Sequence, residues 1–195
     1  MKKRIIIALL SIACALSLLG VVFVQTEPID NPIAGVVSLD GPSKKIKRGK
    51  TFTAQVRVDL TGVKAPGSSQ LATLGSYVIP IAFDRAALEF VSAGGGDSLE
   101  FASAPQGVTS AQTANTNGVV TLVGAQTGFD GVKGTVGVAS VSFRVIATNK
   151  GRTTIEFNPE LAAPGLSLAS TARSTTTSEP YRIAASGKPA SFKIK

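Results

Sequence analysis

The chain has 195 residues, of which 44% are hydrophobic and 16% charged, with 20 Gly, 10 Pro, a single Cys and no His. That length suits one domain with a proper core, and the apolar fraction argues against disorder. Cys14 has no partner for an intramolecular disulfide, and the missing His excludes His-dependent triads and His/Cys zinc sites.

The N-terminus reads as a targeting segment, residues 1–26. Lys2, Lys3 and Arg4 precede the run IIIALLSIACALSLLGVVFV, which as a helix would be about 30 Å long. That is enough to cross a bilayer, with the basic end left in the cytoplasm and the remainder exported. Cleavage as a signal peptide and retention as an anchor both stay open, and lipidation at Cys14 is a third route. A polar linker, residues 27–35, leads into a domain spanning 36–195. The whole chain carries +8; without Lys2, Lys3 and Arg4 it holds 17 basic against 12 acidic residues. Much of that excess lies in KKIKRGK, Lys44 to Lys50, read as a solvated loop between strands or as a patch for anionic surfaces.

Beyond the linker the pattern is that of strands. IAGVVSL (33–39) is a first strand. In FTAQVRVDL (52–60), Phe52, Ala54, Val56, Val58 and Leu60 alternate with Thr53, Gln55, Arg57 and Asp59, the period of a strand with one buried face. GSYVIPIAFDRAALEFVSAGGG, from Gly75 to Gly96, reads as two strands joined by a turn. Tyr77, Ile79, Ile81 and Phe83 share one face, and Val78, Pro80, Ala82 and Asp84 the other. Pro80 has no ladder donor, so the strand is expected at an edge there, or bulged. Asp84 is expected to fix the turn before Leu88 and Phe90 re-enter the core.

Further strands are expected at 108–113, 119–126, 138–147, 153–158 and 191–195, with Gly137 marking a bulge. Asn117-Gly118, Gly128 to Gly134 and Asn149-Lys150-Gly151 are turn signals. ASTARSTTTSEP (169–180) is a Ser/Thr-rich loop, and no sustained helical period follows residue 26. The expected fold is therefore all-β, a single jelly-roll-like β-sandwich of about nine strands, preceded by the hydrophobic targeting helix.

Catalytic and cofactor chemistry finds few residues to work with. GGGD (94–97) lacks the ending of a phosphate loop and reads as a flexible strand connector. Asp84, Asp97 and Asp130 are isolated turn residues rather than a calcium loop. A carboxylate pair for glycoside hydrolysis has no local spacing to support it. No catalytic residue, metal or cofactor is assigned. With no Trp and two Tyr, and with Phe at core positions, a platform for stacking sugar rings is poorly supplied. Few aromatics in an exported chain also leave nucleic acid a poor fit. What remains is binding through a sheet face or loops.

Three segments resemble a known family. YVIPIAFDRAALEFVSA resembles the middle of a cohesin domain, RGKTFTAQVRVDL its early strand, and VVTLVGAQTGFDGVKGTVGVASVSFRV its later strand, Gly-rich loop and long strand. The resemblance covers about residues 36–195. It implies a nine-stranded, jelly-roll-like sandwich that is non-catalytic and binds a protein of dockerin type through one sheet face. The matching outward positions are Ser76, Val78, Val123, Ala125 and Gln126. The family usually has Asn and Asp at the first pair and an acidic residue at the place of Gln126. A secreted or cell-surface module is the expected setting, and a carbohydrate-binding module of the related sandwich superfamily is the alternative.

Overall fold

The computed structural model describes residues 33–126, 131–161, 168–169 and 182–195. The targeting segment, Cys14, linker residues 27–32, Asp130 and nearly all of the 169–180 loop lie outside them.

Strand formation follows the alternation of apolar side chains. In β2 (Thr51–Asp59), Phe52, Ala54, Val56 and Val58 are buried and their neighbours face outward. The other strands are β1 (Ile33–Asp40), β3 (Ser76–Phe83), β4 (Leu88–Gly95), β5 (Gly107–Val108), β6 (Val119–Ala125), β7 (Thr135–Val145), β8 (Gly151–Phe157), β9 (Leu168–Ala169), β10 (Arg182–Lys188) and β11 (Ala190–Ile194). Nine of these have five or more residues, which gives the expected strand number. β1 opens at Ile33 and so takes in the last three residues assigned to the linker.

The strands form two layers. One runs β11-β8-β3-β6-β5; the other runs β9-β10-β1-β2-β7-β4. The two-residue β9 pairs with both β3 and β10, so the ladder is continuous while the layers face each other. The core between them holds Phe52, Phe83, Phe90, Phe143 and Phe192, with Phe143 in contact with Phe52, Phe83 and Phe90. Phe52 meets Phe192 edge-on across the layers, with ring centroids 4.6 Å apart.

The β3–β4 hairpin forms as its sequence requires. Asp84 Oδ1 accepts from the Ala86 N–H at 2.9 Å, and the Asp84 carbonyl accepts from Ala87 and Leu88. Pro80 lies opposite Thr121 of β6 but turns its backbone the other way, where its carbonyl accepts from Asn158 at 3.0 Å. β8 ends at Phe157, one residue before the position where Pro80 could not donate in return. The strand is therefore interior at Pro80, with the ladder interrupted on one side only. The bulge at Gly137 is present: Val56 pairs with Ala139 and Arg57 with Gly137, leaving Val138 as the extra residue. That slip lets Val136 and Val138, then Ala139 and Val141, all point inward.

Three further expectations are overturned. Residues 108–113 are not a strand. After Val108, Ser110 caps a helix, α1 (Ala111–Asn117), by accepting from the Thr113 N–H. Gly118 ends it at φ 73°, so Asn117-Gly118 is a helix C-terminus rather than a strand turn. The run GGGD is not a loose connector. A Cβ on Gly95 would lie 1.9 Å from the Ala102 carbonyl oxygen, and one on Gly96 1.9 Å from that of Gly137. Glycine is required there because two backbones touch. Asp97, finally, is an ion-pair partner of Arg57, which also binds Asp40 at 2.7 Å. β10 had no counterpart in the alternation, because RIAASGK carries one large apolar residue, Ile183, and is placed by its parallel register with β1.

Candidate functional site

The outer face of the β11-β8-β3-β6-β5 layer carries the residues singled out from the sequence. β3 and β6 run antiparallel, with Ser76 directly opposite Ala125 and Val78 directly opposite Val123. These four side chains therefore form two adjacent cross-strand pairs on one face. Ser76 and Val78 are half-buried, Ala125 is exposed, and Val123 is 40% exposed. Thr121 and the Ala82–Val119 pair continue the surface along the strands, whereas Pro80, opposite Thr121, is buried.

Gln126 does not join this array. Its backbone N–H donates to the Gly75 carbonyl at 2.9 Å, and its side-chain Nε2 donates to the Leu74 carbonyl at 3.4 Å. It closes the end of the β3–β6 ladder. The strand expected at 119–126 ends at Ala125, so Gln126 lies one residue past it.

The free side of β6 is finished by a residue that sequence reasoning missed. Gln106 Oε1 accepts from the Ala125 N–H at 2.7 Å, while its Nε2 donates to the Ala125 carbonyl at 2.8 Å. The amide thus stands in for one more strand residue beside β5. Asn115 of α1 does the same at the opposite edge, accepting from the Phe90 N–H at 2.6 Å and donating to its carbonyl at 3.0 Å. No motif flags either residue, because the partner is a backbone segment fixed only by the fold.

The two outer faces differ in how far they satisfy themselves. On the β1-β2-β7-β4 side, Arg57 is held charged by hydrogen bonds to Asp40 and Asp97. Arg144 binds Glu89 at 2.5–2.8 Å, and Thr53 meets Ser142 at 2.8 Å. The β3–β6 face has small apolar and hydroxyl side chains and, among the described residues, no ion pair. It is half-apolar and, among the described residues, without ion pairs, which are the properties of a surface able to receive a protein partner.

Every aromatic side chain among the described residues is buried, Tyr77 included. Among those residues no group of three or more His, Cys, Asp or Glu is placed to hold a metal ion. No helix among them is long and apolar enough to cross a membrane.

No protein-family model and no curated protein matches the chain in sequence. Its fold, by contrast, has solved counterparts. A cohesin module from a family 33 glycoside hydrolase of Clostridium perfringens superposes with a TM-score of 0.54 at 10% identity, covering 85% of this chain and 98% of that one. The seventh ScaB type I cohesin of Pseudobacteroides cellulosolvens gives 0.52 at 12% identity, over 83% and 92% of the two chains. The third ScaC cohesin of Acetivibrio cellulolyticus, solved in complex with the ScaB dockerin, gives 0.52 at 16% identity, over 83% and 97%. The fold is that of a cohesin.

Proposed function

We propose that this chain is a non-catalytic, extracytoplasmic binding module of cohesin type that docks a protein partner. The docking surface is the β3–β6 face, with Ser76, Val78, Val123 and Ala125 at its centre and Gln126 at its rim. The observation that carries this reading is the pairing of Ser76 with Ala125 and of Val78 with Val123 on a face with no ion pair among the described residues. The A. cellulolyticus cohesin, solved with a dockerin bound, supports the partner class. Secretion or surface display rests on the hydrophobic N-terminal run.

Ser76 and Val78 stand where the family usually has Asn and Asp, and Gln126 where it usually has an acidic residue. The partner recognised by this face is accordingly a dockerin-type or other surface protein that presents an apolar stripe with a polar rim. A polysaccharide partner finds no exposed aromatic side chain among the described residues.

The test is capture of exported proteins from the source organism with the full chain, followed by titration of the purified partner. Val123→Glu and Ala125→Arg should each weaken binding at least about tenfold, as expected for a change of about 1.4 kcal/mol at an interface centre. Equal binding by both variants would remove this face from the account.

A further inference from the structure

The register of three neighbouring segments gathers cations that lie far apart in sequence. β8 and β11 are antiparallel, with Arg152 directly opposite Lys193 and Gly151 opposite Ile194. Lys150 and Lys195 flank that last pair, each one residue beyond the end of its strand. On the other side of β11, Ile46 forms a parallel bridge with Ile194: its N–H donates to the Lys193 carbonyl at 3.0 Å, and its carbonyl accepts from Lys195 at 2.8 Å. Ile194 is buried and Ile46 packs against the core, so alternation turns Lys45 and Lys47 outward beside Lys193 and Lys195.

The result is two rows of three, Arg152-Lys193-Lys45 and Lys150-Lys195-Lys47, all exposed. Neighbours across the strands are about 5 Å apart and the rows about 7 Å apart. Like charges directly opposite each other destabilise a sheet, so this arrangement costs stability while the surface is bare. None of the six takes part in an ion pair among the described residues. The nearest carboxylate on the same face of β8 is Glu156, four residues and about 13 Å along the strand from Arg152. The loop carrying Lys45 and Lys47 is also pinned rather than loose, since Gly49 donates to the Val145 carbonyl at 2.8 Å. Lys44 to Lys50 is therefore an exposed connection tied by its backbone to β11 and β7.

We propose that this cationic grid binds a linear anionic glycan, with acidic groups repeated along the chain. A repeating two-row array suits a polymer better than a single ion, which would need converging, buried donors. The six outward positions carry no apolar side chain to enter a bilayer, and no described aromatic is exposed to stack a nucleic-acid base. Val78 lies at the other end of the face, about 27 Å along the strands from Arg152, so glycan and protein partner occupy separate surfaces.

The test uses the full chain in neutral detergent micelles and immobilised polygalacturonate. Saturable binding at low salt is expected, weakening about tenfold or more as salt rises to physiological strength and beyond. Arg152→Gln/Lys193→Gln should reduce affinity about tenfold, while Lys64→Gln/Lys133→Gln, with the same loss of charge elsewhere, should bind as the parent does. The grid variant should also melt no lower than the parent, because a repulsion has been removed. The proposal fails if binding is absent or if both double variants lose affinity equally. It fails too if phosphatidylglycerol vesicles or polyglutamate bind better than polygalacturonate.

Discussion

The Tyr77 hydroxyl donates to the carbonyl of Val138 at 3.2 Å, joining β3 of one layer to the bulged residue of β7 in the other. The bulge leaves Val138 outside the β2–β7 pairing, and its carbonyl would otherwise be a buried acceptor without a strand partner. Tyr77 is 2% exposed, so the bond is made in a dry interior directly beneath the proposed docking face. Tyr77→Phe keeps the ring and removes the donor. Its expected cost is about 1–2 kcal/mol in urea denaturation at neutral pH.

The same phenol predicts how stability changes in alkali. Burial pushes its pKa from 10.0 up to about 12. Between those values the unfolded chain has released the proton and the folded chain has not, so stability falls as pH rises. Below pH 10 the contribution is intact, and by pH 12 the loss approaches about 3 kcal/mol. Denaturation of the parent and of Tyr77→Phe across this range should give curves that approach and cross. A constant difference between them would contradict the buried position of the hydroxyl.

Gly124 lies opposite Tyr77 on β6, and a Cβ there would come within 2.3–2.5 Å of the tyrosine ring. Gly124→Ala is therefore expected to destabilise by about 1–3 kcal/mol through overpacking. Combining it with Tyr77→Leu should recover part of that cost, a non-additivity that a double-mutant cycle measures directly.

Asn115→Ala removes both hydrogen bonds from the β4 edge at Phe90. The expected loss is about 1–3 kcal/mol, because a partly buried N–H and carbonyl are left without partners. Amide exchange at Phe90 should accelerate while that of Val56 in β2 changes only with global stability.

Much of this architecture was legible because alternation is a direct readout of which side chains face the core. Phe52 to Val58 and Tyr77 to Phe83 announce their strands, and Asp84 announces the turn between β3 and β4. α1 was not legible: it has seven residues and a single buried side chain, Ala114, so it carries no amphipathic period. Its caps, Ser110 and Gly118, were visible but also fit a hairpin. The glycines at 94–96 look permissive in sequence, whereas their necessity comes from Ala102 and Gly137 on other segments. Of the five proposed contact residues, Ser76, Val78, Val123 and Ala125 share one face, as strand parity requires; Gln126 turns toward Leu74 because the strand has already ended. The cationic grid is invisible before the fold, since residues 45–47, 150–152 and 193–195 meet only through the β8–β11 register and the Ile46 bridge.

Docking through the β3–β6 face is most directly tested by titrating one purified, captured partner against three forms of the chain: parent, Val123→Glu, and Arg152→Gln/Lys193→Gln. The account predicts saturable binding by the parent, at least about tenfold weaker binding by Val123→Glu with its melting temperature retained, and unchanged binding by the grid variant. Equal affinity for the parent and Val123→Glu would contradict it.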